Sequence, residues 1–207
     1  MFRTGNGGPA QGSPWNINIH YDALLDSMVP TGARRVLDVG CGDGFLAARL
    51  ARRITDITAV ELDGPVLTRA RARFAGVPVH WLHDDVMTAE LPDASFDAVV
   101  SNAALHHLED TRAALRRLAG LVAPGGTLAV VTFVKFSFRY FFWHLGTRVA
   151  CAVANQVKGK WEHTAPIKWP PPDNFRQLRT HVSETLPGAR VRPLLYGRVL
   201  ITWSAPG

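Results

Sequence analysis

Three groups of residues in this sequence have the types and spacing for chemistry. The first is the run Val36-Leu37-Asp38-Val39-Gly40-Cys41-Gly42-Asp43-Gly44, with glycines at alternate positions. Glycines set this closely let a backbone turn through positive φ and approach a ligand. The second is a series of acids that each follow an apolar run: Glu61 and Asp63, then Asp84 and Asp85. The third is the tandem His106-His107, with His20 far upstream. Histidine titrates near neutral pH, which suits a general base. The acids limit what the glycine turn can hold. A dinucleotide turn reads G-x-G-x-x-G and leads a pyrophosphate to a helix N-terminus. Here Phe45 takes the place of the last glycine, and the ring of carboxylates repels a pyrophosphate. A cationic ligand carrying an amine and a ribose diol suits the same ring, with Glu61 placed to take both ribose hydroxyls.

These residues need a scaffold, and the sequence alternates strand and helix patterns around them. A short helix is expected from Tyr21 to Met28, ending before Pro30. Arg35–Val39 reads as a buried strand, and Asp43 as the cap of a helix through Arg53. Strand Ile57–Glu61, helix Pro65–Phe74 and strands Val77–Leu82 and Phe96–Ser101 follow. Helix Arg112–Val122, the turn Pro124-Gly125-Gly126 and strand Thr127–Phe133 complete the rhythm. Nearly continuous apolar strands between helices imply an α/β fold with a parallel sheet buried on both faces. The glycine turn and the acids then all fall at strand ends on one edge, where open α/β sheets bind ligands.

The whole chain, 1–207, is expected to form a single domain. Residues 1–14 read as a flexible N-terminus, 15–29 as a segment covering the ligand, and 30–134 as the binding core. Residues 135–172 read as an aromatic and basic lid insertion. Residues 173–207 supply a helix over Asp173–Leu186 and strands near Val191–Tyr196 and Val199–Trp203, joined at Gly197.

Composition narrows the class further. The chain is 47% apolar and 19% charged, an ordinary globular balance. Two cysteines, Cys41 and Cys151, are too few for a disulfide framework or a zinc cluster, so no metal is expected and a cytoplasmic setting is the default. The first sixteen residues contain no apolar signal core. The most apolar stretch, Phe133 to Val157, is interrupted by Lys135, Arg139, His144 and Arg148. No transmembrane segment is expected, since a span needs about 20 mostly apolar residues. Peripheral membrane contact stays open. Residues 1–134 carry a net charge of −2 and residues 135–207 a net of +8.

The motifs together resemble the class I S-adenosylmethionine-dependent methyltransferases, over roughly Tyr21 to Phe133. Leu37-Asp38-Val39-Gly40-Cys41-Gly42-Asp43-Gly44 matches the family's first motif, and Glu61 its acid after strand two. His83-Asp84-Asp85-Val86 matches the adenine-binding acid after strand three. Leu91-Pro92-Asp93-Ala94-Ser95-Phe96-Asp97 matches the run into strand four, Ser101 to Leu108 the segment after it, and Leu121 to Gly126 the turn before strand five. The flavour is similar to small stand-alone ubiquinone/menaquinone and natural-product methyltransferases. The resemblance implies a Rossmann-like, doubly wound seven-stranded sheet of order 3-2-1-4-5-7-6 with strand 7 antiparallel. It implies S-adenosyl-L-methionine as cofactor and S-adenosyl-L-homocysteine as product.

Carried over by position, Asp38, Gly40, Cys41 and Gly42 hold the methionine end, Glu61 the ribose, and Leu62 packs on adenine. Asp84 or Asp85 accepts from the adenine amine beside Val86, and Asp85 is favoured because it directly precedes Val86. Ser101 and Asn102 line the sulfonium, and Tyr21 is a cofactor contact. The candidate catalytic bases are His106, His107 and His20. Substrate-binding candidates are Trp15, Phe136, Tyr140, Trp143, Trp161 and Trp169, although most aromatics of the insertion are expected to be core. Arg139, Arg148, Lys158 and Lys160 form a solvated face or bind an anionic group on the acceptor.

The resulting expectation is methyl transfer by in-line displacement to a small-molecule substrate, an apolar or aromatic metabolite or natural product. O-, N- and C-methylation and the oligomeric state, a dimer included, are left open. Two rivals remain at this point: an RNA-directed methyltransferase, and a non-methylating member that uses the cofactor structurally for cyclisation or rearrangement. Ser101-Asn102-Ala103-Ala104 lacks the N/D-P-P-Y run of enzymes that hold a planar base amine, which weighs against nucleic acid.

Overall fold

A computed structural model of the chain describes residues 15–158 and 169–207. Helix α1 (Ile17–Met28) leads into strand β1 (Arg35–Val39), helix α2 (Phe45–Leu50) and strand β2 (Asp56–Glu61). Helix α3 (Gly64–Arg73), β3 (His80–His83) and β4 (Phe96–Asn102) follow. Then come α4 (Thr111–Leu121), β5 (Val122–Phe133), α5 (Phe141–Lys158), α6 (Phe175–Thr185), β6 (Arg190–Pro193) and β7 (Arg198–Ser204). The strands form one sheet in the order β3-β2-β1-β4-β5-β7-β6. All pairings are parallel except those of β7, which runs antiparallel to β5 and β6. This is the Rossmann-like arrangement expected from the motifs.

The strands alternate faces because successive side chains point to opposite sides of a sheet. Leu37, Val99, Leu128, Val130 and Ile201 form one core with Leu115 and Leu118 of α4 and Leu178 and Val182 of α6. Val36, Val100, Ala129, Val131 and Leu200 form the other, with Leu25 of α1 and Leu46 and Leu50 of α2. The helices start where short polar side chains satisfy their first amides. Asp63 accepts from the Val66 amide, and Asn174 and Gln177 build a reciprocal capping box on α6.

Several boundaries differ from expectation for local reasons. Helix α1 begins at Ile17 instead of Tyr21, because the Asn16 carboxamide accepts from the Ile19 amide at 2.8 Å. Asp43 does not cap α2. Gly44 occupies that position at φ +82 without a side-chain bond, and Asp43 pairs with Arg73 at 3.2 Å. Strand β3 starts at His80, since the Val77 amide closes a turn on Phe74 and Pro78 has no amide to offer the sheet. The final hairpin turns through Leu195–Gly197, with Tyr196 at φ +58 and Gly197 at φ +69. Among the described residues, no helix is long and apolar enough to cross a membrane.

Candidate active site

Strand order reverses between β1 and β4, and the chain leaves both strands on the same edge of the sheet. A cavity of about 600 Å³ opens there. The glycine turn after β1 forms its floor. The Val60 carbonyl accepts from the Gly40 and Cys41 amides at 2.8 and 3.0 Å. Glu61 uses one carboxylate oxygen for the Gly42 amide (2.9 Å) and the other for the Asp63 amide (3.0 Å). Gly40 is obligatory for packing: at φ +67, a Cβ there would lie 2.2 Å from the Ala104 Cβ. The turn therefore abuts the loop after β4 directly.

The same end of the cavity is rich in buried acid. Asp38 is 1% exposed, and its Oδ2 accepts no hydrogen bond from the described residues. Burial pushes its carboxyl well above the usual range, and the charges of Asp22 and Glu61 push it further. Asp22 is also buried and accepts from the Asn102 Nδ2 at 2.8 Å. Burial raises Asp22 to about 7, against the pull of Asn102 and Arg49. The Cys41 thiol is likewise raised by burial and by the neighbouring carboxylates, which keeps it protonated. After β3, the Asp84 carboxylate accepts from the Asp85 amide and the Asp85 carboxylate from the Met87 amide. Both acids and Val86 line the cavity, as does Leu62, which is 66% exposed.

The other end is apolar and aromatic. His106, His107, Leu108, Phe133 and Trp169 line it. His106 is buried between His107 and Phe133, with ring centroids 4.3 and 4.6 Å away. The Arg198 guanidinium stacks on Phe133 at 3.4 Å and donates to the Asn18 carboxamide at 2.9 Å, fixing two wall residues at once.

Comparison with known proteins agrees with this geometry. A methyltransferase domain family model matches residues 37–130. An uncharacterized methyltransferase of Mycobacterium tuberculosis is 71% identical over 193 residues, covering 93% of this chain and 98% of its own. A ubiquinone biosynthesis O-methyltransferase of Alkalilimnicola ehrlichii is 32% identical over 147 residues, 70% of this chain and 60% of its own. A solved S-adenosylmethionine-dependent methyltransferase from Mesorhizobium loti shares the fold, with a TM-score of 0.60 at 17% identity over 88% of this chain and 96% of its own. The chain belongs to the methyltransferases and has the fold of the S-adenosylmethionine-dependent class I enzymes.

In this methyltransferase the cavity gathers Asp38, Gly40, Cys41, Gly42, Glu61, Leu62, Asp84, Asp85, Val86, Asn102, His106, His107 and Trp169 from the expected site. Others lie elsewhere. Ser101 is fully buried and donates to the Val39 carbonyl at 2.9 Å, so it ties β4 to β1 behind the wall. Tyr21 is buried with its hydroxyl donating to the Leu195 carbonyl, and burial raises it to about 12. His20 is exposed and packs edge-on against Tyr21 and Tyr196, outside the wall. Tyr140 and Trp143 pack on Phe175, and the Trp143 indole donates to the Leu194 carbonyl. Phe136 pairs with Phe138 on the exterior. Trp15 is half-buried and not part of the wall, and Trp161 lies outside the described residues.

The wall also includes Asn16, Asn18, Ile19 and Asp22, the cavity-facing side of α1. Asn18, Asp22, Leu25 and Val29 follow helical spacing, which places an acid on an otherwise buried stripe. That was the available signal for Asp22.

Proposed function

We propose that this methyltransferase transfers a methyl group from S-adenosylmethionine to a small, largely apolar or aromatic acceptor. One observation carries the reading: the carboxylate of Asp38, 1% exposed, lines a cavity together with Asp22, Glu61, Asp84 and Asp85 and with His106, Phe133 and Trp169. A cluster of buried carboxylates is costly without a cationic partner, and a ligand ammonium removes that cost. The residues therefore suit an aminoacyl sulfonium nucleoside. Asp38 and the Gly40–Gly42 turn would hold the methionine end. Glu61, already braced by two amides, keeps lone pairs for the ribose hydroxyls. Asp85 and the Val86 amide would take adenine, and Leu62 would be covered by it.

When bound, the cofactor supplies a methyl group already activated as a sulfonium, so the protein contributes mainly proximity and orientation. His106 and His107 line the cavity beside Phe133 and Trp169. Either ring takes up a proton if the acceptor is a hydroxyl. Phe133 and Trp169 offer flat apolar surfaces to the acceptor and exclude water. Oxygen nucleophiles are the first acceptors to screen, because an O-methyltransferase is among the relatives.

Calorimetric titration of S-adenosylmethionine, S-adenosylhomocysteine and NAD into the purified chain tests the reading. Binding of the first two without the third is the expected result. Binding of NAD alone, or of neither adenosyl compound, overturns it.

A further inference from the structure

Asp22 belongs to none of the sequence motifs, yet it lines the cavity with Asp38. Both side chains are more than nine-tenths buried, at 7% and 1% exposure. They are close enough for the charge of Asp22 to raise Asp38. The groups that face Asp22 are Asp38 from β1, Asn102 from β4 and Arg49 from α2. Arg49 spends its guanidinium on Asp26 at 2.8 Å and acts on Asp22 only at a distance. Asn102 donates one amine to both Asp22 and the Asn18 carbonyl, which fixes the carboxylate at the tip of β4. The carbonyl oxygen of Asn102 is itself buried and accepts nothing from the described residues. Two buried carboxylates thus share one cavity, and two such charges side by side call for a cationic ligand.

We propose that Asp22 and Asp38 form a two-carboxylate cradle for the two positive centres of S-adenosylmethionine, with Asp38 on the α-ammonium and Asp22 on the sulfonium. This rests on the cofactor reading above. It follows that Asp22 separates the charged cofactor from its uncharged thioether product, whereas Asp38 serves both. Product release is then favoured by the loss of one charge at Asp22.

Calorimetric titration of both compounds into wild type and Asp22→Asn at about pH 7.5 tests this. The substitution keeps an oxygen for Asn102 to donate to. The preference for S-adenosylmethionine over S-adenosylhomocysteine is expected to fall about tenfold, the scale of one charge-assisted contact, with product affinity nearly unchanged. Equal weakening of both ligands, or no change in either, overturns the proposal. A second readout needs no variant. Asp22 protonates as pH falls through about 7, so the wild-type preference must shrink toward about pH 5.5. A preference that stays flat over that range overturns the proposal as well. Wild type that binds neither compound instead removes the cofactor reading itself.

Discussion

An acid buried away from water binds its proton more tightly in the fold than in the unfolded chain. Asp22 rises from 3.8 to about 7, so between these values the folded chain keeps a proton that the unfolded chain has released. Stability therefore falls as pH rises through this window, and the loss is complete above it. Asp22→Asn removes that titration. The variant should be more stable than wild type at pH 8 by about 2–4 kcal/mol and level with it near pH 4. Urea melts at the two pH values check this, and equal stability at pH 8 would show that Asp22 ionises without penalty. The glycines separate in the same way. Gly40→Ala forces a 2.2 Å contact with Ala104 and should disrupt the edge of the sheet. Gly42→Ala meets no atom within 4 Å, so at φ +52 it should cost only about 1–2 kcal/mol in a thermal melt. Its main effect should be loss of cofactor affinity, because Gly42 lines the cavity. Near-equal melting losses for the two variants would contradict this account. That Asp38 and Glu61 line the cavity was legible because each stands on a strand at the end that meets the glycine turn. Ser101 and Tyr21 were not, because only tertiary packing decides that their hydroxyls turn to Val39 and Leu195.

Elements reach the site through their ends, so the caps and cross-links carry much of the precision. Buried Asp173 shows this: its carboxylate accepts from Thr111 at 2.6 Å and meets His181 at 3.2 Å, while its carbonyl takes the Lys135 amide. One residue thereby joins α4, α6 and the chain leaving β5. Beside it, the Asn174 side chain caps α6 through the Arg176 and Gln177 amides. Asn174→Ala should cost about 1 kcal/mol, visible as a lower urea midpoint with unchanged slope. A changed slope would mean that the docking of α6, and not its cap alone, is lost. Strand type was readable because parallel strands are apolar throughout and their turns are marked by glycine and proline, whereas the strand order came with the resemblance to the methyltransferases. The α1 start was missed because Asn16-Ile17-Asn18-Ile19 alternates polar and apolar residues, the signature of a strand, until the Asn16 cap decides for helix. The aromatic insertion was the least legible. Tyr140 and Trp143 are drawn to Phe175, a contact set by where α6 docks rather than by any local pattern.

Across the whole molecule the charges separate by function. The net −2 of residues 1–134 includes the acids that line the cavity, while residues 135–207 carry the net +8. The cavity draws its wall from α1, the turns after β1, β2 and β3, the loop after β4, the end of β5 and Trp169. A ligand seated there touches all of these segments at once. Binding to the folded state alone stabilises it by about 2.7 kcal/mol when the ligand is at 100 times its dissociation constant. For a chain of this size, that corresponds to a rise in melting temperature of roughly 5–10 °C. S-adenosylhomocysteine should produce such a rise, and NAD at the same concentration none. Asp22→Asn should melt higher than wild type without ligand at pH 8, yet gain less from S-adenosylmethionine, because the acid that burdens the empty fold is the one that meets the bound charge. A variant that gains as much as wild type would separate the stability of Asp22 from its function, and the buried acid would then be a feature of packing alone.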